Sequence, residues 1–156
     1  MMTITIKQGD IFLSNANILV NPVNCQGVMG AGLALQFKER YPDMYTHYRD
    51  LFQNRILNLG RVYFYPEPSG KKIIVLFPTK FNWRDESQLE WISEGLDDLV
   101  RILKGKAYFG DKIALPALGC GLGGLLWRNV KPLMIQKLKG LSKITNEVVI
   151  YEPNEM

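Results

Sequence analysis

The chain has 156 residues, 47% of them hydrophobic and 22% charged, with a formal net charge of +4 at pH 7. At about 150 residues per domain this is one core's worth of sequence, expected as a single domain over 1–156, and the composition excludes a disordered chain. No run approaches the roughly 20 apolar residues of a membrane helix and the first residues make no signal peptide, so no membrane association and a cytoplasmic location are expected. Two cysteines, Cys25 and Cys120, lie far apart and are expected as reduced thiols. A single histidine, His47, makes a His-based metal cluster or a Ser-His-Asp triad hard to build, and it falls in a Tyr- and Arg-rich helical stretch that reads as surface. The mild basicity favours a polyanionic partner.

Met2 to Lys7 alternates Thr and Ile, and Ile18 to Val23 is a β-branched apolar run; both read as strands. A glycine loop, Gly27-Val-Met-Gly-Ala-Gly32, opens a helix from Leu33 to Arg40 that stops before Pro42, and a second helix runs from Asp43 to Gln53. Arg61 to Tyr65 and Lys72 to Phe77 read as a hairpin around the turn Pro66-Glu-Pro-Ser-Gly70. A long helix, capped by Asp85 or Ser87, carries Leu89, Ile92, Leu96, Leu99, Val100 and Leu103 on one face. Ile113 to Leu115 is a short buried strand, Gly119-Cys-Gly-Leu-Gly-Gly124 a second glycine loop, Asn129 to Leu138 a helix and Glu147 to Tyr151 a closing strand. This alternation predicts an α/β fold with a mixed sheet covered on both faces, and both glycine loops, each following a strand, converge on one sheet edge. A monomer is expected, since no long apolar stripe is left unassigned.

Glycine loops that lead into helices bring backbone N–H groups and a positive helix terminus to an anion. Two of them facing each other would clamp a diphosphate from both sides. Neither loop is a Walker A motif or a Rossmann fingerprint, which disfavours ATP hydrolysis. Asn21 and Asn24 end an otherwise apolar strand, and their odd spacing puts them on opposite faces, with Asn24 toward the ligand and Asn21 structural. Lys80 follows a buried strand and the turn Pro78-Thr79, between the aromatics Phe81 and Trp83, where partial desolvation would suit an amine to act as nucleophile or base.

Five motifs in this order resemble a known family: Gly9-Asp-Ile11, Val20-Asn-Pro-Val-Asn24, Gly27-Val-Met-Gly-Ala-Gly-Leu-Ala-Leu-Gln-Phe-Lys38, Phe77-Pro-Thr-Lys80, and Ala114-Leu-Pro-Ala-Leu-Gly-Cys-Gly-Leu-Gly-Gly-Leu-Leu-Trp127. Together they resemble a macro domain over nearly the whole chain, and more narrowly the DarG type, the antitoxin macro domain of DarT/DarG toxin–antitoxin pairs, related to terminal ADP-ribose protein glycohydrolases. The resemblance implies a three-layer α/β/α fold that binds ADP-ribose at the sheet edge. It implies that Asp10 accepts from the adenine amino group with Ile11 beside it. Gly27, Val28, Met29, Gly30 and Gly32, with Gly119, Cys120, Gly121, Leu122, Gly123 and Gly124, would hold the diphosphate and distal ribose, joined by Asn24 and Thr79.

Lys80 matches the catalytic lysine of this branch, which attacks the anomeric carbon of the distal ribose or, alternatively, moves a proton there; Asn24 joins it as a catalytic candidate. The implied reaction removes ADP-ribose from a DNA base, thymidine first, in single-stranded DNA, reversing a DarT-type toxin without cofactor, redox chemistry or metal. Trp83 and Arg84 are candidate DNA contacts, as are the cations Lys38, Arg40, Arg128 and Lys131. One departure is informative: the protein-directed relatives carry an acidic residue in the second loop where this chain has Gly123, which weakens a protein-glutamate hydrolase and suits the DarG type. The alternative functions are a non-catalytic ADP-ribose reader and a hydrolase of protein-linked ADP-ribose or of ADP-ribose-1''-phosphate. The chain ends at Tyr151-Glu-Pro-Asn-Glu-Met156, just past the last strand, and is expected to be a fragment of a longer antitoxin or a stand-alone homologue.

Overall fold

Strand parity in this sequence sends apolar side chains to two different layers. In β2 (Ile18–Asn24), Ile18 and Val20 face one core while Leu19 and Val23 face the other. β4 (Ile73–Lys80), β5 (Asp111–Pro116) and β6 (Thr145–Tyr151) repeat the pattern, with Val75 and Phe77 against Ile74 and Leu76, Ile113 and Leu115 against Ala114, and Val148 and Ile150 against Val149 and Tyr151. A strand apolar on both sides needs a cover on each. The computed structural model, which describes residues 2–105, 111–142 and 145–153, supplies both.

The first cover is α1 (Gly32–Arg40) and α2 (Pro42–Gln53), which bury Phe37, Met44 and Tyr48. The second is α3 (Leu89–Gly105) and α4 (Trp127–Leu138), which bury Ile92, Leu96, Leu99, Leu103, Val130 and Met134. β1 (Thr3–Lys7) and β3 (Tyr63–Pro66) complete a six-stranded sheet in the order β1-β6-β5-β2-β4-β3. All neighbours run parallel except β3 and β4, so the sheet is mixed and the expected hairpin is present. Close helix–sheet contact depends on Gly95 of α3, where a Cβ would lie 2.4 Å from Phe77 Cζ.

Three local expectations change. β4 continues through Pro78 and Thr79 to Lys80, so the supposed turn is strand and the lysine is its last residue. Neither Asp85 nor Ser87 caps α3, which starts at Leu89; the Asp85 carboxylate instead accepts from the N–H of Asn82 at 3.0 Å. The His47 stretch is surface on one side only, since Asp43, Thr46 and Asp50 are exposed while Met44 and Tyr48 are buried, and half-buried His47 lies tilted against Tyr65 with ring centroids 5.2 Å apart. No helix among the described residues is long and apolar enough to cross a membrane. Residues 154–156, the end of the expected domain, lie outside the described residues.

Candidate functional site

Because β2, β4, β5 and β6 are parallel, their C-terminal ends open on one sheet edge. β2 delivers the first glycine loop there, β5 the second, and β4 places Thr79 and Lys80 alongside them. The register pairs Asn24 with Lys80, and the N–H of Cys25 donates to the carbonyl of Phe81 at 2.9 Å, which fixes the lysine's backbone against the first loop.

Between the loops lies a cavity of ≈ 670 Å³. Val28, Gly30 and Gly32 form one wall, Gly119, Gly121, Leu122 and Gly123 the other, and Asn24, Thr79 and Lys80 lie at its base with Trp83 alongside. A second cavity of ≈ 460 Å³, lined by Asp10, Ile11, Gln36, Cys120 and Tyr151, shares Leu33, Pro116, Ala117 and Gly121 with the first, so the two are parts of one elongated cleft. This size and mostly apolar lining suit a small-molecule site.

Electrostatically the larger cavity is sparse: Lys80 is the one ionisable side chain that lines it among the described residues. Among the described residues Lys80 makes no side-chain hydrogen bond or ion pair. Anion-binding capacity resides in the backbone. The N–H groups of Gly30, Gly32 and Leu33, at the start of α1, and of Gly121, Leu122 and Gly123 donate to no acceptor among the described residues. Unsatisfied N–H groups at a helix start and in a glycine turn are what a phosphate oxygen needs. The loops approach closely, since a Cβ on Gly32 would lie 3.6 Å from Leu122 Cδ1.

The first loop is held from behind by side chains. Asn24 Oδ1 accepts from the N–H groups of Gln26 (2.9 Å) and Val28 (3.4 Å), and its Nδ2 donates to the Val28 carbonyl at 2.8 Å. The Tyr48 hydroxyl, 2.7 Å from the Asn24 carbonyl and 2.8 Å from Oδ1, donates to this pair. Arg49 donates to the Gly27 carbonyl at 3.0 Å. Asn24 thus acts on the cavity through the loop it shapes. Asn21, fully buried, directs Nδ2 to the sulfurs of Met29 (3.9 Å) and Met44 (3.8 Å), and its Oδ1 has no partner. Both asparagines therefore contact the α1/α2 layer, contrary to the opposite-face expectation, because the pairing of β2 with β4 shifts between Val23 and Asn24.

The second loop is held by backbone. Gly119 accepts from Leu125 N–H at 2.9 Å, Gly121 from Gly124 N–H at 3.2 Å, and Gly123 from Ser87 N–H at 2.8 Å. Gly119 and Gly124 have φ of 76° and 78°, the left-handed region that favours glycine. A Cβ on Gly123 would lie 2.4 Å from Ser87 Oγ and 2.6 Å from the Gly119 carbonyl oxygen, so the packing has no room for the acidic residue that protein-directed relatives carry here.

Other expected contacts fall around this frame. Asp10 is exposed, one carboxylate oxygen capping the 3-10 turn Ile11–Leu13 through Phe12 N–H at 2.9 Å, and buried Ile11 sits beside it. Met29 is 1% exposed, packed in the core, and lines neither cavity. Gly27 packs behind the loop, 2.7 Å from Arg49 Nη1 if given a Cβ, and Gly124 borders Glu86; neither lines the cavity. Burial pushes the thiols of Cys25 and Cys120 up to about 11, which keeps both protonated and unreactive near neutrality. Phe81 and Trp83 are about half exposed, and of the two Trp83 lines the cavity with Lys80. Lys38 and Arg40 lie over the rings of Tyr45 (4.4 Å) and Phe12 (4.2 Å), while Arg128 is exposed and Lys131 half-buried on α4. No metal-binding group of His, Cys, Asp or Glu occurs among the described residues. Sequence reasoning missed Tyr48, Arg49 and Ser87 as supports of the loops; α2's own period puts Tyr48 four residues after Met44 on one buried face, but it does not reveal what the Tyr48 hydroxyl or Arg49 holds.

Comparison with known proteins gives the same fold. A family model described as Macro domain matches residues 20–134. A protein of Mycobacterium tuberculosis named DNA ADP-ribosyl glycohydrolase is 39% identical over 153 residues, 97% of this chain and 42% of that protein. The chain thus spans under half the length of the curated relatives it matches. The solved macrodomain of M. tuberculosis DarG superposes with a TM-score of 0.90 at 38% identity, covering 97% of this chain and 99% of that one. Thermosipho africanus DarTG, solved in complex with ADP-ribose, superposes with a TM-score of 0.90 at 36% identity over 98% of this chain and 42% of that one.

Proposed function

The chain belongs to the macro domain family, and from that membership we propose that it binds ADP-ribose in the elongated cleft and removes it from modified DNA bases, thymidine first, as an antitoxin to a DarT-type DNA ADP-ribosyltransferase. The observation that carries the reading is the pairing of two facing rows of unpaired backbone N–H groups with a single ionisable side chain, Lys80, between them. It is supported by relatives named for DNA ADP-ribosyl glycohydrolase activity and by a similar structure solved with ADP-ribose.

In this reading the two loops hold the diphosphate through their N–H groups, with no side-chain cation committed to it. The adenosine lies in the smaller cavity, where Asp10 accepts from the adenine amino group with the carboxylate oxygen that Phe12 leaves free, beside Ile11. The distal ribose then lies between Thr79, Lys80 and the loop that Asn24 shapes. Lys80 Nζ attacks the anomeric carbon as the bond to the base nitrogen breaks. The base leaves with that electron pair and takes up a proton, and water then hydrolyses the sugar–lysine bond to give ADP-ribose and the free amine. Lys80 performs the chemistry without a carboxylate partner in the second loop, because Gly123 has none to offer.

The test is mass spectrometry of a single-stranded oligonucleotide bearing one thymidine-linked ADP-ribose, incubated with wild type and with Lys80→Ala. Wild type restores the bare base and Lys80→Ala loses turnover by at least about a thousandfold while still binding ADP-ribose. Binding without turnover in wild type would leave a reader, and phosphate release from ADP-ribose-1''-phosphate would move the substrate to that metabolite.

A further inference from the structure

The cleft described above leaves unassigned the group on the far side of the scissile bond, and one exposed side chain lines the same cavity as Lys80. Trp83 borders the larger cavity three residues beyond Lys80 with 48% of its surface exposed, an unusual position for the largest apolar side chain. The backbone that carries it is tied down by hydrogen bonds. The Asp85 carboxylate accepts from Asn82 N–H, the Asn82 carbonyl from Asp85 N–H and the Asn82 side-chain oxygen from Arg84 N–H, each at 3.0 Å, and Ser87 N–H ties the same segment to Gly123. Arg84 lies with its guanidinium carbon 4.7 Å from the Trp83 ring centroid and has no carboxylate partner among the described residues.

An aromatic ring on a hydrogen-bonded turn that lines the same cavity as Lys80, with a cation over it and about half its surface open, has the properties of a stacking platform for an unpaired base. Every nucleobase has a π-face, and the guanidinium adds attraction for the phosphates on either side. We propose that Trp83, with Arg84, receives the base that carries ADP-ribose, so that the cleft selects single-stranded over duplex substrate. This rests on the DNA reading above and deepens it. A base inside a duplex is stacked on its neighbours and must be extruded before it can reach Trp83, at a cost that an unpaired base avoids.

The experiment compares wild type, Trp83→Ala and Trp83→Phe on one ADP-ribosylated oligonucleotide, single-stranded and annealed to its complement, with free ADP-ribose affinity measured beside it. Wild type prefers the single strand by at least about tenfold in kcat/KM. Trp83→Ala raises KM for the single strand about thirtyfold, the middle of the range that stacking on one aromatic gives. It changes ADP-ribose affinity by less than about threefold, and Trp83→Phe recovers most of the KM. A Trp83→Ala variant with unchanged KM, a Trp83→Phe variant no better than alanine, or loss of ADP-ribose affinity in parallel with KM overturns the platform while leaving the DNA reading in place. A wild type that releases nothing from either form overturns the DNA reading and the platform with it.

Discussion

The two glycine loops reach the same cavity by opposite means. The first is fastened by side chains from α2 and the end of β2, Tyr48, Arg49 and Asn24, whereas the second is fastened by its own carbonyls and by the Ser87 backbone. A loop held by side chains is broken by truncating the holders. One held by backbone is broken by adding atoms to it. The same ligand-facing result therefore carries different sequence requirements on its two sides.

The largest effect follows from crowding the second loop. In Gly123→Ala the new methyl meets the Gly119 carbonyl at 2.6 Å, a fixed backbone atom, so the loop must shift and ADP-ribose affinity falls by at least about tenfold, readable by titration calorimetry. Gly121→Ala adds a methyl with nothing within 4 Å and leaves the thermal midpoint in place, which separates crowding from the mere loss of glycine. Removing the Ser87 hydroxyl in a Gly123→Ala, Ser87→Ala double variant does not restore affinity, because the carbonyl contact remains.

On the first loop, Tyr48→Phe removes the donor to the buried Asn24 oxygens and costs about 1–3 kcal/mol of stability, measured by denaturant unfolding, with weaker ADP-ribose binding as Asn24 loosens. Arg49→Ala gives up the bond to the Gly27 carbonyl and the contact with Phe52, with a smaller cost of about 1 kcal/mol. A first loop that tolerated both changes would contradict the contrast drawn here. The smallest effect is pH-dependent. Cys25, beside this loop, is pushed from 9.0 to about 11 by burial, so its contribution is complete below pH 9 and is lost as pH rises toward 11. Thermal midpoints should fall across that window, and less steeply in Cys25→Ala.

Much of this was legible in the sequence because glycine and strand parity leave strong marks. Both loops and the mixed sheet follow from glycine spacing and strand parity, whereas Lys80 stood out through the resemblance of the five motifs to a macro domain. The holders did not show, since Tyr48 and Arg49 sit in a polar-looking helix and their partners are backbone atoms of another segment. The two asparagines were assigned to opposite faces by a period of two that a register shift interrupts. Ser87, expected as a helix cap, instead supports Gly123 through its N–H, a long-range contact that local patterning does not encode.

The most direct test of the central claim is to trap the lysine in the act. Wild-type protein is incubated with the ADP-ribosylated oligonucleotide, a hydride reductant is added during turnover, and the protein is mapped by mass spectrometry. An ADP-ribose adduct forms on Lys80 and is absent from Lys80→Ala if the lysine is the nucleophile. Full turnover with no adduct at Lys80, or unimpaired turnover by Lys80→Ala, would contradict that role.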